Sequence, residues 1–231
     1  MTNTQLAICL YGSHARGDAD AWSDHDVLVV GTPSESAAAT LLDGLGPRLS
    51  ISHYEWYEIE AMAKYGSLFL QHVRLEGNVL LEMPRGSRCL QSLLGDLGPY
   101  RRSVRDLRTF RLALDDIRSA PRPLTNAIFE MAALATMLRH SAVLGCYLTG
   151  TPRFGRVEAF RCLCDRWSIP TRVSDAFGEL YRFRLHEEGR GDLPYMPTWP
   201  QVEGWSGFAE SFLDKLEEVV LEYENRLSAT H

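Results

Sequence analysis

Short apolar runs alternate with polar segments along the first eighty residues, which predicts strands separated by turns and helices. Residues 6–11 form an apolar run that ends at Gly12, and residues 27–30 form a second run. Both are typical of buried strands. Polar and apolar side chains alternate over residues 48–52, which predicts a third strand, and the apolar residues 79–81 predict a short fourth one. Helical periodicity covers residues 34–45 and 57–75, with an interruption at Gly66-Ser67. We therefore predict a small α/β domain over residues 1–85.

The pattern changes beyond this point, because strand signals largely vanish. Helical periodicity predicts helices over about 88–118, 124–149, 154–167, 173–187 and 206–227, separated by segments rich in proline and glycine. Alanines are frequent between residues 132 and 142, so helices can approach closely there. Residues 86–231 are therefore predicted to form a second domain, an all-α helical bundle.

Composition narrows the class of protein. The 231 residues are 45% hydrophobic, enough for two small cores. No apolar run is long enough for a membrane span, and the first residues lack the basic region of a signal peptide. We therefore expect a cytoplasmic protein with no membrane partner. The five cysteines are odd in number and scattered, which predicts neither a disulfide framework nor a zinc site.

Charge is shared unevenly along the chain. Residues 1–85 hold 5 basic against 11 acidic side chains, whereas residues 86–231 hold 19 of each. One predicted helical face carries arginines, at positions 101, 102, 105, 108 and 111. This face is either a phosphate-binding surface or an ordinary solvated helix. The net charge of −6 argues against extended contact with a phosphate backbone, so we do not expect nucleic acid as a partner.

Candidate chemistry concentrates in the first thirty residues. Gly12 ends the first strand, and Ser13 is predicted to cap a short helix that breaks at Gly17. Unpaired backbone N–H groups at such a turn suit phosphate oxygens. Asp24 and Asp26 lie two residues apart at the head of the second strand, so both should project from one face. Paired carboxylates without thiols suit Mg²⁺ that shares its shell with phosphates.

These residues resemble the signature of the polymerase-β-like nucleotidyltransferase superfamily, especially its minimal and antibiotic nucleotidyltransferases. The resemblance rests on three segments: residues 12–17, residues 23–26 and the aliphatic strand that follows them. It implies an α/β nucleotidyltransferase domain in which Asp24 and Asp26 bind one or two Mg²⁺ ions and are catalytic. It also implies that Gly12, Ser13 and Arg16 bind ATP or another NTP.

The sequence departs from this family where a third carboxylate is normally found. Ser50 stands at that place on the predicted third strand. In the family this carboxylate helps to hold a second metal and takes the proton of the acceptor. Two outcomes stay open. Either Glu55, Glu58 or a carboxylate of the second domain substitutes, with Glu130 one candidate base, or the protein binds nucleotide with little or no turnover.

Three further side chains near the motif have alternative interpretations. His25 occupies a slot that is usually aliphatic, and we interpret it as a partly buried histidine satisfied by a backbone group. His14 stands beside the turn, where it could contact a phosphate or simply be exposed. Arg16 is either a phosphate clamp or a structural partner of a nearby aspartate.

His72 and Glu76 lie one helical turn apart and could touch.

The helical half resembles the helical domains of kanamycin-type nucleotidyltransferases and of HEPN proteins. Only Arg226 and His231 have the spacing of the HEPN ribonuclease motif, at the frayed end of the chain, so we do not expect that activity. The resemblance implies transfer of a nucleoside monophosphate to a hydroxyl of a small molecule or protein, with release of pyrophosphate. The alternative is a nucleotide-binding regulatory module, such as an antitoxin-like partner. A homodimer is one assembly compatible with either.

Overall fold

The computed structural model describes residues 6–31, 40–46, 48–83 and 89–229. The chain divides into two compact units between Arg101 and Arg102. Unit 1 contains the sheet, and unit 2 is helical throughout its regular elements. The predicted domain boundary at 85/86 lies outside the described residues, and the division between units follows it by sixteen residues.

A four-stranded mixed sheet is formed by the described residues of unit 1. Its strands are β1 Leu6–Tyr11, β2 His25–Val30, β3 Leu49–Tyr54 and β4 Asn78–Met83, in the order β3-β2-β1-β4. β1 runs antiparallel to β2 and β4, whereas β2 and β3 are parallel. The unit's labelled helices are α1 Gly12–Arg16, α2 Trp56–Lys64, α3 Leu68–Glu76 and α4 Leu90–Gly95. The predicted α/β class is confirmed.

Both faces of the sheet are covered by apolar side chains. On one face, alternate residues of β1 and β2 pack against Leu41, Leu42 and Leu45. Residues 40–43 are helical, as predicted, and the rest of the helix predicted at 34–45 lies mostly outside the described residues. The other face packs against Ile59 of α2, Leu70 of α3 and Leu90 of α4. Because α4 belongs to this core, unit 1 extends beyond residue 85.

Two helical stretches are divided in the structure, the first of them where an interruption is predicted. The stretch over 57–75 separates into α2 and α3 at Gly66, whose φ is +64° and whose added Cβ would lie 2.4 Å from the carbonyl oxygen of Gly98. The second, expected over 88–118, separates into α4 and α5 Ser103–Ser119. Between them the chain passes Gly98 and Pro99, so the break follows from residues that disfavour a continuous helix.

Unit 2 is a bundle of long helices. Its elements after α5 are α6 Leu124–Leu148, α7 Glu158–Arg166, α8 Thr171–Glu187 and α9 Trp199–Ala229. The last helix begins seven residues before its predicted start, because Pro200 sits in the first turn, where its missing N–H costs nothing. Phe160 stacks between Phe177 and Phe212, with ring centroids 4.0 and 5.3 Å away. The predicted helical bundle is confirmed.

The most apolar helix of unit 2 corrects one expectation. Within α6, residues Asn126–Leu148 are long and apolar enough to cross a membrane, although no such run was expected from the sequence. About two thirds of that segment is buried inside the protein, with Met131, Leu134 and Leu138 fully covered. This is what the core helix of a bundle requires.

Ion pairs join α9 to α5, and to Arg122 in the segment that follows α5, along one side. The partners are Arg111 with Asp214 and Glu217 at 2.7 and 2.9 Å, Arg118 with Glu210 at 2.7 Å, and Arg122 with Glu203 at 2.6 Å. At the far end Ser103 donates to Glu224. Arg111, one of the arginines of the predicted basic face, is therefore paired within unit 2. We call this set the α5–α9 ladder.

Candidate active site

The turn between β1 and α1 is shaped by Gly12. Its φ is +74°, and an added Cβ would lie 2.5 Å from Oδ2 of Asp26. The left-handed backbone therefore favours glycine, and a side chain at this position would force the Asp26 carboxylate to move. Ser13 is not the N-cap that the sequence predicted, because Tyr11 holds that position and Ser13 lies inside the helix. Its carbonyl instead accepts hydrogen bonds from the amides of Gly17 and Asp18, at 2.9 and 3.1 Å.

The two aspartates lie at the start of β2. Asp26 is directly opposite Tyr11 in β1 and beside Ser50 in β3, whereas Asp24 precedes the strand by one residue. Burial raises the pKa of Tyr11 to about 12, and the charges of Asp26 and Asp24 add to that rise against a hydrogen bond with Ser52 that lowers it. Both carboxylates thus contribute to the raised pKa of the Tyr11 phenol, which precedes Gly12. Gly12 and Asp26 are in close contact, and Asp24 is near enough for its charge to affect the same phenol.

The neighbouring strand supplies hydroxyl groups in place of a third carboxylate. Ser50 is the parallel neighbour of Asp26, and Ser52 lies two residues on, with its Oγ 3.2 Å from the Tyr11 hydroxyl. Among the described residues, no group of three or more His, Cys, Asp and Glu side chains is arranged to hold a metal ion. Within the described part of the chain, the protein's own donors are therefore a pair of carboxylates.

Glu55 and Glu58 do not replace the missing carboxylate. They form a capping box at the start of α2, in which the Glu55 amide donates to Glu58 Oε2 at 2.8 Å. Glu55 follows Tyr54, which pairs with Val30 at the other end of β2 from Asp26. Four strand residues separate the two ends, about 13 Å at the rise of a β-strand. The sequence-based alternative that named these glutamates is therefore wrong.

The two histidines form a stack. The rings of His14 and His25 lie 3.6 Å apart at 19° to each other. His25 Nδ1 is buried without a hydrogen-bond partner among the described residues, so the predicted bond to a backbone group is absent at that nitrogen. His25 belongs to the face of β2 opposite Asp26, because adjacent strand residues alternate. The stack attaches α1 to the start of β2.

Arg16 is engaged by two carboxylates. Its guanidinium pairs with Asp18 at 3.1 Å and with Glu76 of α3, and Glu76 also accepts from His72 at 2.8 Å. Burial alone would lower the pKa of Arg16, but the bonds to Asp18 and Glu76 raise it. These contacts match the structural interpretation of Arg16, and the proposed contact between His72 and Glu76 is confirmed. The partnership of Arg16 with Glu76 was missed because 60 residues separate them.

Glu130 lies on α6 of unit 2 and is only 6% exposed. Burial raises the pKa of its carboxyl group above the ordinary value of 4.5. A carboxyl group with a raised pKa is suited to proton transfer, and the role of Glu130 as a base stays a prediction.

The site has the features that the resemblance to nucleotidyltransferases leads one to expect: a mixed sheet with a glycine-serine turn after its first strand, and paired aspartates where the second strand begins. Residues 3–68 match the family model for the nucleotidyltransferase domain, consistent with the polymerase-β-like superfamily that the motif resembles. The match covers less than a third of the chain and includes Gly12, Ser13, Asp24 and Asp26. No curated protein matches the sequence significantly.

Proposed function

We propose that the protein is a Mg²⁺-dependent nucleotidyltransferase that moves a nucleoside monophosphate, AMP in the first instance, from an NTP to a hydroxyl of a small molecule or protein. The observation that carries this proposal is the approach of Asp26 Oδ2 to Gly12, where a side chain at residue 12 would displace the carboxylate. It brings a carboxylate to the turn that would receive phosphate oxygens. Family membership of residues 3–68 supports nucleotidyl transfer as the general chemistry.

The donor set fits magnesium. Asp24 and Asp26 offer hard oxygen ligands, and Mg²⁺ characteristically completes its shell with substrate phosphates and water rather than with a full protein cage. When bound, the metal would neutralise charge on the phosphates and polarise the reacting phosphorus.

The chain's own residues would position the substrate. Backbone amides at Gly12 and Ser13 would receive the phosphates, and the half-buried aspartates would set their orientation. An acceptor hydroxyl would attack the α-phosphorus in line, with a new O–P bond forming as the bond to pyrophosphate breaks. Positioning and charge neutralisation account for most of the catalysis in this class of reaction.

A second function is favoured by Ser50. Because a hydroxyl stands beside Asp26 where the family has a carboxylate, the domain would bind nucleotide and metal without efficient turnover. The protein would then act as a nucleotide-binding regulatory module, such as an antitoxin-like partner. Its ligand would be the same NTP.

One experiment separates the two functions. The protein is incubated with each α-³²P-labelled NTP, Mg²⁺ and either a small-molecule extract or total cell protein. Asp24→Asn and Asp26→Asn test the site, and Asp43→Asn is the matched control, an exposed carboxylate beside the leucines that cover the other sheet face. Label transfer that is lost only in the first two variants supports the enzyme. Magnesium-dependent binding without transfer supports the module, and no such binding refutes both.

A further inference from the structure

Helix α1 is too short to hold its own position. It has five residues, one of which, Gly12, is buried. Isolated helices shorter than about 12–15 residues are marginal in water, so a single turn depends on contacts with the rest of the fold. Because α1 begins with Gly12 and Ser13, whatever fixes this helix also fixes the proposed phosphate turn.

The last turn of α1 is attached to the end of α3. Arg16 donates to Glu76, the final residue of α3, and the side-chain amide of Asn78 donates to the carbonyl of Ala15 at 3.4 Å. Gly77 lies between the two, and an added Cβ there would lie 2.3 Å from the Val73 carbonyl oxygen. The junction of α3 and β4 is therefore tightly packed, and it gives α1 a firm support.

Glu76 is held from a second side. His72, one turn earlier on α3, contacts Glu76 Oε2 at 2.8 Å, and its ring meets the Tyr11 ring edge-on with centroids 5.2 Å apart. Tyr11 directly precedes Gly12 and faces Asp26 across the sheet. A closed ring therefore surrounds the turn. The backbone connects Tyr11 to Arg16 through α1, and side-chain contacts lead from Arg16 to Glu76, from Glu76 to His72 and from His72 back to Tyr11.

The two carboxylates on Arg16 differ in environment. The Asp18 side chain is 58% exposed and two residues away, so its pairing with Arg16 is local and screened by water. The Glu76 side chain is 13% exposed and belongs to another element. Burial would raise the pKa of Glu76, but the contacts with His72 and Arg16 lower it, so the carboxylate stays ionised at neutral pH.

We propose that Glu76 is a positioning residue for the nucleotide site: through Arg16 it holds the Gly12–Ser13 turn in register with Asp26. This inference rests on the proposed function. It assigns Arg16 a role inside the protein, as the link between Glu76 and the turn, rather than a direct contact with phosphate.

The test compares Glu76→Gln with Asp18→Asn, which removes the exposed partner of the same arginine. For Glu76→Gln we expect ATP affinity in Mg²⁺ to fall about tenfold, the effect of losing one charge-assisted hydrogen bond. Amide hydrogen exchange over residues 12–17 should accelerate. Asp18→Asn should change affinity less than about twofold, as expected of an exposed pair. Glu76→Asp, which keeps the charge, should recover part of the loss.

A double-mutant cycle tests the assignment of Arg16. If Arg16 acts only through Glu76, the variant that combines Arg16→Gln with Glu76→Gln should bind ATP no more weakly than Arg16→Gln alone. Additive losses would mean that Arg16 contacts the phosphates itself and would overturn the inference, as would unchanged affinity and exchange in Glu76→Gln. If Glu76→Gln does not fold, Glu76→Asp takes its place: its shorter side chain weakens the contact with Arg16, so it should show a smaller loss of ATP affinity in the same direction, and unchanged affinity and exchange would overturn the inference.

Failure of this inference can be told from failure of the proposed function. If the wild-type protein binds no nucleotide in Mg²⁺, the proposed function fails. Hydrogen exchange over residues 12–17 then still reports whether Glu76 holds the turn. If the wild type binds ATP and Glu76→Gln binds equally well with unchanged exchange, only the positioning role is refuted.

Discussion

Replacing Gly12 by alanine separates the cost of backbone strain from the cost of crowding Asp26. Gly12 and Gly17 both have left-handed backbones, with φ values of +74° and +81°. A Cβ at Gly12 would lie 2.5 Å from Asp26 Oδ2, whereas no atom of the described residues lies within 4 Å of a Cβ at Gly17. Gly17→Ala therefore reproduces the backbone strain of Gly12→Ala without the contact.

The magnitudes follow from these geometries. Left-handed backbone costs an L-residue about 1–2 kcal/mol, so both variants should lose comparable stability, with Tm lower by roughly 4–8 °C per kcal/mol in a unit of this size. Ordinary contacts lie at about 3.5 Å, so in Gly12→Ala the carboxylate must move by about 1 Å. Displacement of that size in a reacting constellation costs about a hundredfold in rate.

The assay is Mg²⁺-dependent ATP binding, together with label transfer where an acceptor is found, alongside thermal unfolding. Gly12→Ala should lose nucleotide binding or transfer far beyond its loss of stability, and Gly17→Ala should lose stability alone. Equal functional losses in both variants would show that strain, and not the contact with Asp26, matters at this turn. Full function in Gly12→Ala would remove the main support for the proposed site.

Three further predictions concern other parts of the chain. Ser50→Asp should tighten Mg²⁺-dependent ATP binding about tenfold by adding a carboxylate beside Asp26. The control Ile51→Asp, on the opposite face of the sheet and 48% exposed, should leave the affinity unchanged. Equal ATP affinities of the two variants would exclude Ser50 from the site. Because burial raises the pKa of Glu130, its charged form is disfavoured in the folded protein, so Glu130→Gln should raise Tm at pH 7.5. The gain should shrink as the pH falls toward 4, because the carboxyl group becomes mostly protonated in the folded and the unfolded protein alike. A gain that persists at pH 4 would contradict this cause. Arg111→Gln should destabilise unit 2 by up to about 1 kcal/mol in urea unfolding, less in 1 M NaCl, and more than Arg182→Gln, which removes only an i,i+3 pair; a salt-independent loss would argue against an electrostatic origin.

Local patterns were enough to predict the core of the site. The run before Gly12 and the run after Asp26 identified two strands of the sheet, because buried strands are continuous and apolar. The spacing of Asp24 and Asp26 placed both carboxylates near the turn. The serine opposite Asp26 was also located from alternation along β3.

What sequence reasoning missed depends on contacts between distant residues. The pairing of Arg16 with Glu76 and of Tyr11 with Ser52 joins residues 60 and 41 positions apart, and neither has a local signal. The break near Gly98 was hidden by helical periodicity on both sides of it. The residue type of Ser13 predicts an N-cap, but the helix starts earlier, at a glycine whose backbone conformation cannot be read from sequence.

The α5–α9 ladder has a consequence for how unit 2 finds its native alignment. Its glutamates recur every seven residues, at 203, 210, 217 and 224, and Arg111 and Arg118 are seven apart as well. A slip of α9 by two turns would therefore still place carboxylates opposite arginines. The ladder is therefore degenerate in register. Alignment must come from the apolar side, where Phe212 stacks on Phe160 and a seven-residue shift would bring Trp205 or Val219 to that place, a larger ring or none.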